Sequence, residues 1–276
     1  MTVGNTWTPD EEKSDAFHGF VEIRAAGGAP AFTPTSALIP PFKILWTTIR
    51  GVSQAGAVGL TVDSGTNLQY PFLLDRNGFR RLELPGVSPP TGSDPQYAAF
   101  GINDVGVIVG IFPKKVNAAV TTSGFALAAG LARLIDFPDA GSSHPPVTST
   151  LIKDINNWGE IVGRFDDQNG THGFRGDYYG GFFEAIDFVD PATGAAATLT
   201  VVNGVNDSGD IVGHYLDAAG ALHSFLRRAG KEFQTVDLPP PIFGFQLNGI
   251  DATGQKGIGT GFDDQDDPYA FEVDLP

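Results

Sequence analysis

The sequence predicts an all-β fold, a five-bladed β-propeller closed by strands from both termini, and three observations carry that prediction. One turn motif recurs five times, beginning at residues 51, 101, 154, 204 and 249. By subtraction the intervals are 50, 53, 50 and 45 residues, and a near-constant period of that size marks a repeat architecture. The chain is also punctuated by 36 Gly and 20 Pro in 276 residues, too often for long helices, while 21 Phe provide material for a core. Finally, each period holds four short segments with strand character, the number in a propeller blade.

The fourth copy shows the elements in order. Thr198–Val202 alternates and is rich in β-branched residues, as a strand requires. Asn206, Asp207, Ser208 and Gly209 make a turn in which Asn and Asp bond nearby backbone and Gly takes positive φ. Asp210–Tyr215 is a second strand, and Gly213 inside it signals a bulge or the close approach of another backbone. A turn at Asp217–Gly220 leads to a third strand, His223–Arg227. Ala229–Lys231 turns again, and the fourth strand, Phe233–Asp237, is stopped by Pro239.

The ends complement each other. Residues 17–36 supply the second half of a repeat and 244–276 chiefly the first half, so residues 1–16 read as an N-terminal tail and 17–276 as one domain. The third-strand position occurs six times, at His18, Tyr70, Ser123, His172, His223 and Tyr269, against five turn motifs. Either one terminal copy is therefore surplus or the closing blade has an extra strand, and Phe271–Pro276 reads as a third strand fused to the ending of a fourth.

In their order, Gly-Ile-Asn-Asp-x-Gly, Ile-Val-Gly, His-Gly-Phe and Ile-Asp-Phe-Pro (Ile135–Pro138, with Ile186–Phe188 and Val236–Pro239) resemble the HAF-type extracellular repeat family over residues 17–276. The resemblance implies a propeller-like fold and, commonly, export; it transfers no activity and no catalytic residues. Ser53-Gln54 in the first copy and the hairpin Lys114–Thr122 in the second depart from the pattern.

Composition narrows the function classes. A formal charge of −15 argues against a nucleic-acid partner, whose phosphates the average surface would repel. The absence of Cys removes disulfides, thiolate metal sites and a Cys nucleophile. Residues 1–16 contain no apolar core of a signal peptide, and no run approaches the roughly 18 apolar residues of a membrane span. A monomer is expected, cytoplasmic as written or else a secreted mature form whose leader has been removed, with no cofactor called for.

Candidate chemistry divides into what repeats and what varies. The Asp-rich hairpin tips Asp166-Asp167-Gln168-Asn169-Gly170 and Asp263-Asp264-Gln265-Asp266-Asp267, with Asp63 and Asp217, offer oxygen ligands, but the calcium-loop spacing with its closing Glu is missing. They are read as Asx turns. His18, His172 and His223 share a place with Tyr and Ser and are read as structural, with Asp136, Asp187, Asp237 and Asp274 as partners between blades. Function is expected where copies differ, because an approximately symmetric ring needs asymmetric side chains to orient one ligand. The residue before each motif is Arg50, Phe100, Lys153, Asn203 or Asn248; the residue after the second-strand Gly is Leu60, Ile111, Arg164, His214 or Thr260. Within these, His214 is the candidate acid or base and Arg164 and Lys153 the candidate anion clamps, with Arg50, Phe100, Asn203, Asn248 and Tyr215 as ligand contacts. Trp158, on the third motif turn, is a candidate stacking platform. Arg175-Gly176-Asp177 is read as a chance match to an adhesion tripeptide, and Ser142-Ser143-His144 as loop. No nucleophile elbow, zinc-protease pair or phosphate loop occurs. The reading that results is a ligand-binding propeller for a small molecule or glycan. The alternatives are a cofactor-independent lyase, hydrolase or cyclase, and a protein-interaction scaffold.

Overall fold

A computed structural model describes residues 2–8, 16–23, 31–34, 44–63, 65, 68–85, 97–116, 119–139, 145–265 and 267–276. Among them the regular structure is entirely strands, paired antiparallel with their chain neighbours in six sheets. The chain divides into two compact units, Met1–Leu134 and Ile135–Pro276. The five sheets that carry a turn motif are the blades of a β-propeller.

In the first unit, β1 (Thr2–Thr8), β2 (Ala16–Ile23) and β3 (Ala31–Pro34) form a three-stranded sheet. The stretch read as a tail thus carries a strand, paired along its length with β2. The third-strand position at His18 falls in β2, which pairs with β1 on one side and β3 on the other. Two four-stranded blades follow: β4 (Ile44–Ser53), β5 (Gly56–Asp63), β6 (Gln69–Asp75) and β7 (Gly78–Arg81), then β8 (Ala98–Ile102), β9 (Ile108–Val116), β10 (Ala119–Ala128) and β11 (Leu131–Ile135).

The second unit holds β12 (Ser149–Ile155), β13 (Glu160–Asp167), β14 (Gly170–Asp177) and β15 (Phe183–Ile186) in one blade. The next contains β16 (Leu199–Val205), β17 (Ile211–Leu216), β18 (Leu222–Arg227) and β19 (Phe233–Val236). β20 (Gly244–Ile250), β21 (Lys256–Phe262) and β22 (Pro268–Asp274) make the last sheet, whose third strand runs out at Asp274 with no fourth among the described residues.

Each recurring residue has a packing reason. The second-strand Gly (59, 110, 163, 213) pairs on one side with the Phe of the third strand: Phe72, Phe125, Phe174 and Phe225 respectively. All four rings are fully buried, and each contributes about 1.5–3 kcal/mol by leaving water. A methyl group on Gly213 would meet the Phe225 ring at 2.8 and 2.9 Å, so the ring occupies the space a side chain would need. In the second unit, the Phe that ends the Ile-Asp-Phe element plugs into the following blade. Phe137 stacks on Phe165 at 4.0 Å and Phe188 on Tyr215 at 3.7 Å, while their backbone N–H groups donate to the buried Thr150 and Thr200 hydroxyls.

The motif Asn and Asp staple neighbouring blades. Asn156 Oδ1 accepts from the N–H groups of Trp158 and Glu160, closing its own turn, and its Nδ2 donates to the Asn206 carbonyl 50 residues on. Asp207 in turn accepts from Asn157 N–H at 2.8 Å. In the first unit Asp104 accepts from Gln54 N–H at 2.9 Å, so the departure at Ser53-Gln54 keeps the same staple.

Candidate functional site

The five residues before the turn motifs share one geometry: each is the extra residue of a β-bulge in the first strand. Register shifts fall between Ile49 and Gly51, Ala99 and Gly101, Ile152 and Asp154, Val202 and Gly204, and Leu247 and Gly249. A bulge leaves one residue unpaired and re-aims its side chain, here Arg50, Phe100, Lys153, Asn203 and Asn248. The second-strand Gly sits opposite each bulge, where a side chain would collide with first-strand backbone. Gly213 therefore marks both a bulge, on the partner strand, and a close approach.

In the second unit the bulge residue meets the residue after the Gly. Asn203 Nδ2 lies 2.9 Å from His214 Nδ1, and Asn248 Nδ2 donates to Thr260 Oγ1 at 3.3 Å. The equivalent pair in β12 and β13 is Lys153 and Arg164, with the same register. The first strands of these blades are neighbours: Asn203 Nδ2 also donates to the Leu247 carbonyl of β20 at 2.8 Å, and Asp154 accepts from Val205 N–H of β16 at 3.0 Å. The bulged first strands β12, β16 and β20 thus lie side by side, with Lys153 and Arg164, Asn203 and His214, and Asn248 and Thr260 as matching pairs on successive blades.

The protonation state of His214 follows from its neighbours. A carbonyl oxygen only accepts, so the atom facing Leu247 is the Asn203 amide nitrogen, a donor only. Its other hydrogen points at His214 Nδ1, which must accept. His214 is therefore neutral with its proton on Nε2. Burial, then the charges of Lys153 and Arg164, push its pKa down to about 4, in agreement with that geometry.

Asp154 went unremarked in the sequence reading, although a signal was there: the other four copies have Gly at this place. Its two oxygens accept separately from Ile155 N–H at 2.9 Å and Val205 N–H at 3.0 Å. Burial outweighs these bonds and pushes its pKa up to about 7.

Other sequence candidates lie elsewhere. Tyr215 projects from the opposite face of β17, stacked on Phe188 with its hydroxyl 2.9 Å from that of Thr235. It lines a separate cleft of about 220 Å³ with His223, Asp190, Asp217 and Asp237. Trp158 is 78% exposed on its turn, its indole N–H donating to the Asp207 carbonyl at 3.0 Å. Arg50 and Phe100 belong to the first unit, where the guanidinium lies over the Phe100 ring at 5.5 Å. Their companions after the Gly, Leu60 and Ile111, are buried and apolar.

His172 and His223 are tied down, but within their own blades rather than between blades. His172 Nδ1 lies 3.0 Å from Asp187 and His223 Nδ1 2.8 Å from Asp237; both Asp residues directly follow the fourth strand of the same blade. The opposite ring nitrogens face the hairpin-tip residues Asp167 and Asp217 at 3.4 and 3.6 Å. The tip carboxylates close their own turns: Asp217 accepts from Ala219 and Ala221 N–H, Asp263 from Gln265 and Asp267 N–H. Asp266, the Ser142-Ser143-His144 stretch and the His18 side chain lie outside the described residues.

No family model and no curated protein matches the chain. Solved structures do. TolB from Acinetobacter baumannii aligns with TM-score 0.54 at 10% identity over 98% of this chain, which spans 63% of TolB. A mutant of the Aleuria aurantia lectin in complex with Fucalpha1-6GlcNAc gives 0.52 at 10% identity, covering 98% of this chain and 87% of the lectin. Another structure of that lectin, a six-bladed β-propeller, gives 0.50 at 10% identity over 98% and 90%. At such identities the likeness is one of fold, and the fold is the β-propeller.

Proposed function

We propose that this protein binds one small polar molecule or short glycan in its second unit, against the bulged first strands β12, β16 and β20. The carrying observation is the contrast between copies at one pair of positions: Leu60 and Ile111 in the first unit, Arg164, His214 and Thr260 in the second, each beside a bulged side chain. A scaffold position would repeat, as the Gly, Phe and Asn positions do. Because the lining differs from blade to blade, the reading calls for one site rather than five equivalent ones. Carbohydrate complexes of lectins with a similar fold support a sugar among the possible ligands.

Binding comes ahead of catalysis for a physical reason. A general base works best with a pKa near the working pH, and His214 at about 4 is neutral but weak. Membership of the HAF-type repeats is part of the proposal and rests on the four recurring elements. The test is native mass spectrometry against polar metabolites and oligosaccharides, with isothermal titration of any hit. One equivalent bound, and lost in Arg164→Ala and His214→Ala, supports the reading. Several equivalent sites, or binding indifferent to both substitutions, refutes it.

A further inference from the structure

The blade β12–β15 departs from the other copies at its motif-turn end. The residue before the turn Gly is Ala55, Val105, Ser208 or Thr253 in four copies and Trp158 in this one. The turn from third to fourth strand is Arg76-Asn77, Ala129-Gly130 or Arg228-Ala229-Gly230-Lys231-Glu232 in three other blades, but here it opens on Tyr178-Tyr179. The two turns meet. Tyr178 N–H donates to the Gly159 carbonyl at 3.1 Å, and a methyl on Gly159 would stand only 2.7 Å from the Tyr178 ring. The phenol therefore lies against the residue next to Trp158. Tyr178 donates its hydroxyl hydrogen to the Tyr179 hydroxyl, with the two ring centroids 4.0 Å apart. Trp158 is fixed as well, its indole N–H bonded to the Asp207 carbonyl at 3.0 Å while 78% of the residue stays in water. Tyr179 is 68% exposed.

The fold does not account for these rings. Asn156 and Asp207 staple the turns through their own side chains, and the other copies close the same turn with a small or aliphatic residue. Large apolar surface is thus kept in water in a fixed orientation, where covering it costs little further ordering. Size and polarity decide what covers it. At about 150–250 Å² per large aromatic side chain, the exposed parts of Trp158 and Tyr179 present on the order of 300 Å². A stable protein interface needs about 800 Å² from each partner, so the patch suits a small ligand. The Tyr rings stand too close together to enclose a cation between them. Asp177 and Asp207, which accept from Gly181 and Asn157 N–H at 3.2 and 2.8 Å, border the turns with acceptors that suit hydroxyl groups and repel an anion.

We propose that this turn end is a second binding surface, a platform on which a neutral oligosaccharide lays the apolar C–H face of a sugar ring on the Trp158 indole, beside Tyr178 and Tyr179, while Asp177 and Asp207 accept from its hydroxyls. It stands apart from the binding function proposed above and does not depend on it.

The test uses the full chain with ¹⁵N-labelled Trp, which gives indole N–H resonances for Trp7, Trp46 and Trp158; the last is assigned by its loss in Trp158→Phe. The probes are cellotetraose, xylotetraose and β-1,4-galactotetraose, with the tetramer of glucuronate as charged counterpart and choline as cation. A saturable shift of the Trp158 resonance by at least one neutral tetramer, at least fivefold weaker with the glucuronate tetramer, supports the proposal. Isothermal titration should find that affinity within about threefold in Trp158→Phe, which keeps a ring, and at least tenfold weaker in Trp158→Ser, which installs the residue of the next copy; Tyr179→Ala should weaken it at least threefold. No shift with any neutral tetramer overturns the proposal, as does a shift with choline alone. A Trp158 shift on concentrating the protein without ligand would show a second copy on the ring and also overturn it. Arg164→Ala and His214→Ala should leave the shift unchanged; its loss in either would merge this surface with the bulged strands and end the claim of a separate site.

Discussion

Gly213→Ala tests whether the bulge that aims Asn203 at His214 is held in place by packing. The new methyl would lie 2.8 and 2.9 Å from Phe225 ring carbons and closer still to the Val201 carbonyl oxygen. Carbon contacts are comfortable at about 3.5–4.0 Å, so the ring must retreat by roughly 0.6–1.2 Å. Phe225 is fully buried, with Phe233 at 5.4 Å and Phe188 at 6.1 Å, and has little room. Overpacking of that kind costs about 1–3 kcal/mol. Pushing β16 from β17 to clear the carbonyl leaves a ladder group unpaired, at about 1–3 kcal/mol more. The sum is on the order of 4 kcal/mol, which at about 2–4 °C per kcal/mol lowers Tm by on the order of 10 °C. The control is Gly230→Ala, at φ 68° with nothing within reach of the methyl, where only the left-handed backbone costs, about 1–2 kcal/mol. Urea and thermal unfolding of both variants decide it. A Gly213→Ala protein no less stable than Gly230→Ala would refute the account of why Gly faces each bulge. The same variant should also disturb the His214 resonance, because the strand pair that sets the Asn203 contact has been parted.

Three further expectations follow from the same geometry. Asp154, with a folded pKa near 7, holds a proton that the unfolded chain loses near pH 4, so its contribution to stability declines as pH rises through 4 to 7; His214, held neutral to about pH 4 against about 6.5 unfolded, contributes in the opposite sense over 4 to 6.5. Asp154→Gly, which restores the residue of the other copies, should therefore make the urea midpoint rise more steeply from pH 4.5 to 6.5 than in the parent, and His214→Gln should make it fall; equal slopes in all three proteins contradict both assignments. Asn203→Asp should raise the His214 pKa by at least about one unit, since a carboxylate accepts from protonated Nδ1 where the amide could not, and an unchanged NMR titration would remove Asn203 from its role. Asn156→Ala should cost about 2–4 kcal/mol, since it strands two turn N–H groups and a buried carbonyl, against about 1 kcal/mol for the exposed Trp158→Ala; the reverse order, in chemical unfolding, would show that the staple is not what joins these turns.

Period and residue type alone determined the class of fold. A 45 to 53 residue spacing, four strand-like segments per copy and turns of Asn, Asp and Gly leave few alternatives, because all these signals are local: alternation, turn chemistry and the demand for positive φ at Gly209, observed at 78°. The fourth copy shows how local they are, with strands expected from Thr198, Asp210, His223 and Phe233 and found from Leu199, Ile211, Leu222 and Phe233. The variable positions were legible too, since comparing copies requires no coordinates. Tertiary structure decided what those positions are. A bulge is a mismatch between two strands: Gly213 hinted at one, but which residue of the partner strand is bulged, and so the alignment of Lys153, Asn203 and Asn248 along neighbouring first strands, had to come from the register. Alternation along β17 was enough to send Tyr215 away from His214, but only the pairing of strands shows that His172 and His223 answer to Asp187 and Asp237 of their own blades. The His214 tautomer depends on a carbonyl 33 residues downstream, by subtraction from 247. Protonation at the site is thus set by a contact between blades, which no single repeat contains.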